Sequence, residues 1–393
     1  MPQEVVIVGG ARTPMTEFNG VLRDHTEVEL CAAAARAALT RSEVSPDSVD
    51  HVVVGNAQQT SANAVYGARH VALKAGLPVR VPALTVNRLC GSGIQSIISG
   101  AQLIQLSEAA TVLAGGMESM SQAPHVIRGL RSGLRLGEGK LEDSLVAALL
   151  DTHCGLMMAQ TADVLAKEMK ITRQEADLYS VRSQKAAAAA SASGRLKEEI
   201  VPIEITRKGK TTIVDADDHP RPDTTIEDLA RLKPVFGTDL VTAGNASGIV
   251  DGAAAVVVCS SERARRDGLR SLGRIVGWHY EGVEPRIMGI GPVAAIRGVL
   301  RTTGISISEI DLFEINEAFA AQYLAVEKEL KLDRERVNVN GGAVALGHPL
   351  GATGTRITLT LLLELRRRGA RYGIASACIG GGQGIALLVE SQH

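Results

Sequence analysis

Two stretches, RAALTRSEVSPDSVD (Arg36 to Asp50) and RGVLRTTGISISEID (Arg297 to Asp311), run from Arg to Asp over the same length without a gap. Each leads into a short apolar segment, HVVVGNA after the first and, from Leu312, LFEINEA after the second. Two looser echoes follow. Val86-Asn87 precedes a cysteine motif, as Val337-Asn338 precedes a glycine-rich one. TVLAGG at 111–116 is similar to YGIASACIGGG at 372–382. A repeat on this scale predicts a chain built from two similar halves.

Working outward, Val-rich runs at Val5–Val8, His51–Val54, Thr111–Ala114 and Ala254–Cys259 read as buried strands. Ala-rich segments such as Val28–Leu39 and Gly93–Leu106 read as helices. Alternation of this kind predicts an α/β architecture with sheets covered by helices. Residues 121–249 differ, being richer in Arg, Lys, Asp and Gly, with a glycine-dense run Gly129–Gly139 and a polar run Arg207–Thr225. One helix stands out there, Thr172–Ser193, opened by the capping-box pair Thr172 and Glu175. The division expected is therefore 1–120 with 250–270 as the first half, 121–249 as a domain inserted on it, and 271–393 as the second half. Insertions of this kind often carry a ligand site.

The 393 residues are 45% hydrophobic and 22% charged, which fits a globular enzyme. Aromatics are only 3%, so the core must be packed with Ala, Val, Leu and Ile, and the 41 glycines imply tight turns and close backbone approaches. A net charge of −1 argues against bulk binding to nucleic acid or anionic lipid. The five cysteines, Cys31, Cys90, Cys154, Cys259 and Cys378, contain no C-x-x-C pair, which points away from a disulfide framework or a metal site and towards a reducing compartment. No charged segment with a long apolar run opens the chain, the terminal SQH is not a peroxisomal address, and no apolar run is long enough to span a bilayer. A cytoplasmic location is the expectation.

Four stretches carry possible chemistry. VNRLCGSGI (Val86–Ile94) sets Cys90 where a strand turns into a helix. Free N–H groups and the helix dipole at such a place lower a thiol pKa and can hold an oxyanion, although a buried cysteine with no reactivity is the commoner case. NGGAVALGHPLGATG (Asn340–Gly354) holds His348 in a loop dense with glycine, which favours function over a structural imidazole. ACIGGGQG (Ala377–Gly384) places Cys378 at a strand end before three glycines, with no Lys-Ser/Thr to make a nucleotide loop. EINEAFA (Glu314–Ala320) puts Asn316 between strand and helix, where capping is the plain reading and an active-site amide the sharper one. In an α/β fold such strand ends gather on one face. Cysteine, histidine and a second acid or base suit acyl transfer.

Taken with GGMESM (Gly115–Met120) and TAGNASG (Thr242–Gly248), these stretches resemble the signature segments of the thiolases, in the same order and across nearly the whole chain. The resemblance implies the thiolase fold, two duplicated α/β halves with mixed sheets in layered packing and an inserted loop domain that binds coenzyme A. It implies reversible condensation of acetyl-CoA with an acyl-CoA, or thiolytic cleavage of a 3-oxoacyl-CoA, through a thioester on Cys90. His348 would activate Cys90 and Cys378 would move the substrate proton. Asn316 would hold a water that forms one oxyanion hole with His348, and the N–H groups of Cys90 and Gly380 would form the other. Arg221 and Ser247 would contact CoA, while Met158, Met288 and Phe319 would line the acyl and pantetheine pocket. CoA and acyl-CoA enter as substrates, with no permanent cofactor and no metal, and the partner is further copies of the chain in a homotetramer or dimer. Met157 stands where acetoacetyl-specific members often carry a His, which implies a range reaching somewhat longer acyl chains. The order Leu-Cys-Gly-Ser around Cys90 is similar to biosynthetic and broad-range bacterial members. Related condensing enzymes lack a second cysteine of the Cys378 kind, and a silent acyl-CoA binder would not need Cys90, His348 and Cys378 together.

Overall fold

The computed structural model describes residues 3–392; Met1, Pro2 and His393, which belong to the terminal readings above, lie outside the described residues. The first half contributes β1 (Val5–Arg12), β2 (His51–Asn56), β3 (Ala83–Val86), β4 (Thr111–Glu118) and β5 (Val250–Ser260). The second contributes β6 (Gly273–Gly282), β7 (Leu312–Ile315), β8 (Tyr372–Ile379) and β9 (Gln383–Ser391). They form one mixed sheet path in the order β7-β8-β9-β6-β1-β5-β4-β2-β3. Parallel pairing is confined to β2 with β3 and β4, and to β7 with β8. Among the described residues the strands of the two halves pair only where Val6 faces Arg274 and Ile7 faces Gly273.

The repeat is built into the hydrogen bonding. Asp50 Oδ2 accepts the N–H groups of Ala110 and Thr111 at 2.8 and 2.9 Å. Asp311 Oδ2 accepts those of Arg371 and Tyr372 at the same two distances. Ser45 and Ser306 each cap the short turn just before. The looser echo is out of register: Phe313 meets Val337 as Val52 meets Ala83, so Ala83 and not Val86 is the counterpart of Val337. The edge strand of the second half has shrunk to that single bridge, which changes the loop length in front of its glycine-rich motif.

Six helices position the site: α1 (Glu27–Arg41), α2 (Ser92–Gln105), α3 (Arg173–Ala192), α4 (Gly291–Thr303), α5 (Ala320–Leu330) and α6 (Leu350–Arg368). Strand residues alternate between two apolar layers. Val6, Val52, Val54 and Val257 face α1 on one outer side. Ile374 and Leu388 share the other outer core with α4 and α5. Val5, Ile7, Val53, Val256, Ala375 and Leu387 face inwards onto α2 and α6, which lie between the halves. Each fully buried Val, Leu or Ile contributes about 1.5–3 kcal/mol relative to exposure. All eleven residues of β5 are buried, as a strand covered on both faces requires.

The middle layer sets the composition. A Cβ on Gly93 of α2 would lie 2.4 Å from the Thr355 nitrogen of α6, and one on Gly354 would lie 2.3 Å from the Ile94 nitrogen. The two helices therefore touch backbone to backbone, and neither position admits any other residue without displacement.

The segment between β4 and β5 holds α3, capped as its sequence predicts: Thr172 Oγ1 accepts the Glu175 N–H at 3.2 Å and the Glu175 carboxylate accepts the Thr172 N–H at 2.7 Å. Although inserted in the first half, this segment packs on both halves: Ile203 and Ile205 join the first half's core, while its helices lie on the second. Ala162, Leu165 and Tyr179 share a core with Phe313, Tyr323 and Val326. Its stretch 121–149 is mostly exposed, with Leu130, Leu136 and Leu141 turned to solvent. Among the described residues no helix is long and apolar enough to cross a membrane.

Candidate active site

The turn before α2 is held in a shape that local sequence does not favour. Leu89 adopts φ +47°, a left-handed conformation that costs about 1–3 kcal/mol in a non-glycine residue. Four groups fix it. Asn87 Oδ1 accepts the Leu89 N–H at 2.9 Å, while Ser92 Oγ accepts the Arg88 N–H at 2.8 Å and donates to the Leu89 carbonyl at 2.7 Å. The next residue, Cys90, is thereby presented at the start of α2, packed beside Met120, Leu145 and Leu350.

Cys90 is only partly buried, yet desolvation of its sulfur pushes the thiol up to about 11. The backbone N–H groups of Gly380 and of Cys90 itself both reach the sulfur and pull in the other direction, and Glu118 adds to the rise. The lowered thiol pKa that a helix N-terminus predicts is thus outweighed by burial.

His348 sits just before α6. Its N–H is bonded to the Gly248 carbonyl at 2.9 Å. Its Nδ1 lies 2.6 Å from Thr353 Oγ1 and its Nε2 lies 3.3 Å from Asn316 Nδ2. Burial, with Arg356 nearby, lowers the imidazole to about 3, so the ring is neutral. Asn316 follows β7 directly but caps no helix. α5 begins at Ala320 with Phe319 at its cap position, and the Gln322 side chain takes the Ala318 N–H instead. The amide of Asn316 is free to serve the site, and its Oδ1 is buried without a protein partner. Cys378 ends β8, paired with Gly384 of β9. Its thiol is buried among Met288, Ala318, Met158 and Phe319, and burial with Cys90 as a neighbour raises it well above the ordinary range.

A cleft of about 800 Å³ lies beside this cluster, lined in part by Arg221, Ser247, Phe236, Leu229 and Val344. Its floor is stitched to the site. Ser247 donates its N–H to the Ala318 carbonyl at 3.0 Å, and Ala246 bridges to Phe319. Arg221 stands at the rim, largely exposed and 3.2 Å from Glu17. Cys90, His348, Asn316, Cys378 and Gly380 are brought together, with Met158, Met288 and Phe319 as one wall and Arg221 and Ser247 in the approach. Among the described residues no group of three or more His, Cys, Asp or Glu side chains is arranged to hold a metal.

Two residues that sequence reasoning passed over belong to this architecture. Glu118, inside GGMESM, is buried and accepts from Asn56 Nδ2 and the N–H groups of Ala57, Gln58 and Gly351, at 2.8 to 3.1 Å. It ties the first turn of α6 to the first half. Thr353, inside GHPLGATG, contacts the His348 ring. Both lie in stretches whose density of glycine marked them, but only the fold shows whom they touch.

Comparison with known proteins gives a uniform result. The family profile described as "Thiolase, N-terminal domain" matches residues 5–262, and "Thiolase, C-terminal domain" matches residues 269–391. The chain is 53% identical over 390 residues to the human protein named mitochondrial 3-ketoacyl-CoA thiolase, covering 98% of each. It is 48% identical over 390 residues to a Pseudomonas aeruginosa acetyl-CoA acetyltransferase, covering 98% of this chain and 99% of that one. The crystal structure of the human mitochondrial 3-ketoacyl-CoA thiolase in complex with CoA superimposes with a TM-score of 0.97 at 52% identity, covering 99% of this chain and 98% of that one.

Because the Cys90 thiolate forms only as pH approaches about 11, alkylation of Cys90 by iodoacetamide should speed up roughly tenfold per pH unit between about pH 7 and 10. A rate that levels off below about pH 8 contradicts this and places a standing thiolate at Cys90.

Proposed function

The chain belongs to the thiolase family, and from that premise we propose that it makes and breaks 3-oxoacyl-CoA through an acyl thioester on Cys90. The reading rests above all on the buried imidazole of His348, 3.3 Å from the Asn316 amide nitrogen, in a residue whose backbone N–H is bonded to Gly248 at the edge of the cleft. In cleavage, Cys90 Sγ bonds to the 3-keto carbon and its proton passes to His348 Nε2. The bond between C2 and C3 then breaks, and the enolate of acetyl-CoA takes a proton from Cys378. The imidazolium then returns its proton to the Cys378 thiolate. His348 takes the thiol proton of the incoming CoA, whose sulfur attacks the thioester and carries the acyl group away, while Cys90 Sγ leaves and recovers that proton from His348. Synthesis runs the same steps backwards, with Cys378 as the base on the methyl of acetyl-CoA. The raised pKa of Cys378 supports this role: the thiol keeps its proton until the strongly basic enolate forms, and its thiolate is a strong base for the reverse step.

Negative charge develops on two carbonyl oxygens in turn. The N–H groups of Gly380 and Cys90 would receive one, and the Nε2–H that His348 carries once protonated, with a water held by Asn316 Oδ1, the other. We assign the nucleotide end of CoA to Arg221 and the pantetheine arm to the cleft floor at Ser247. Met158, Met288 and Phe319 would enclose the acyl group, and the flexibility of methionine supports a short-to-medium chain range. The exposed leucines of the stretch 121–149, Leu130, Leu136 and Leu141, support association into a homotetramer, or failing that a dimer. All five cysteines are free thiols, which supports a reducing compartment such as the cytoplasm.

Replacing Cys378 with Ala should leave rapid-quench acetylation by acetyl-CoA measurable while lowering acetoacetyl-CoA synthesis by about a hundred- to ten-thousand-fold. Condensation near the parent rate would make Cys378 structural. The parent enzyme in the same assay should cleave acetoacetyl-CoA and somewhat longer 3-oxoacyl-CoAs, and activity confined to acetoacetyl-CoA refutes the chain range. Light scattering should give four chains per particle or two; a monomer at working concentration overturns the assembly.

A further inference from the structure

The Thr353 hydroxyl sits between two oxygen- and nitrogen-bearing neighbours. Its Oγ1 lies 3.1 Å from the Pro349 carbonyl and 2.6 Å from His348 Nδ1. A hydroxyl has one proton to give. The Pro349 carbonyl can only accept, so the proton is directed there, as in the usual bond from a helical threonine to the carbonyl four residues back. Oγ1 is then left to accept, and the group that faces it must be a donor. We infer that Thr353 is a positioning residue that fixes the proton of neutral His348 on Nδ1 and so keeps Nε2 as the free base. The inference rests on the assignment of His348 as the partner of Cys90.

The other side of the ring agrees. Nε2 faces the Asn316 amide nitrogen at 3.3 Å, a donor that favours a bare nitrogen opposite it. The ring itself is buried, and the helix that carries Thr353 is buried from Leu350 to Leu365, so no solvent competes for Nδ1. When Cys90 Sγ bonds to the acyl carbon of acetyl-CoA, its proton moves to Nε2. The ring becomes an imidazolium whose Nδ1–H still rests on Thr353 Oγ1. The proton then leaves with the sulfur of CoA as the carbon–sulfur bond to CoA breaks. In the other tautomer Nε2 already carries a proton and cannot take one.

The test uses the full-length enzyme with nitrogen-15-labelled histidine, read first at rest and then in turnover. In the resting protein the His348 signal should show a protonated Nδ1 and a bare Nε2. In Thr353→Val, close in shape but without the hydroxyl, the signal should shift towards Nε2–H, and kcat should fall roughly ten- to a hundredfold with little change in KM for acetyl-CoA. Thr353→Ser should restore both the tautomer and most of the rate. A resting enzyme with its proton on Nε2, or a Thr353→Val enzyme with unchanged tautomer and rate, overturns the inference. Failure of the underlying assignment would look different: His348→Ala would then acetylate Cys90 at the parent rate whatever tautomer the parent enzyme shows.

Discussion

Two helices can bring their backbones into contact only where neither carries a side chain, and Gly93 and Gly354 meet that condition at the centre of this molecule. The contact falls in the first turns of α2 and α6. Cys90 directly precedes one of these helices and His348 the other. Crossing the helices at their starts therefore brings the Cys90 thiol against Leu350, two residues from His348, although 258 residues of numbering separate Cys90 from His348. Glu118 secures the arrangement, since the N–H of Gly351 shares its carboxylate with three donors of the first half. Burial raises the Glu118 carboxyl to about 8, and each of these hydrogen bonds is worth about 0.5–1.5 kcal/mol net. A strap of this strength explains how a site assembled from two halves keeps its geometry when the halves' sheets share only one short seam.

Depth gives the site its electrostatic character. Burial raises both thiols and lowers the imidazole, so the resting groups are uncharged. Charge appears only as bonds form and break, and it appears against donors already in place. A largely buried, neutral pocket of this kind strengthens every interaction with a developing oxyanion and needs little rearrangement when the oxyanion arrives. The strained turn at Leu89 belongs to the same economy of position: it turns Cys90 towards Gly380 rather than into the core.

Much of this was legible in the chain. The ungapped match of Arg36–Asp50 with Arg297–Asp311 survives as two equivalent carboxylate clamps, because an Asp that caps a strand leaves a mark that local sequence carries. The Val-rich strands and the α3 cap were readable for the same reason. The echo through Val86 and Val337 misled, since a two-residue match cannot register a gap. Asn316 was ambiguous locally because an amide between strand and helix usually caps, and only the Gln322 contact and the later start of α5 remove that role. The helix-dipole argument for Cys90 failed because it counts nearby donors but not burial, a property of the whole fold. Thr353 and Glu118 were invisible as individuals: their partners are five residues away in one case and in the opposite half in the other.

All of this geometry serves one covalent event, and that event can be observed directly. The protein is incubated with acetyl-CoA, quenched in acid, digested, and the added mass mapped by peptide mass spectrometry. One acetyl group on the peptide that contains Cys90, absent after Cys90→Ala, is the predicted result. An acetyl group carried elsewhere while Cys90 remains free would contradict the assignment of the nucleophile and the mechanism built on it.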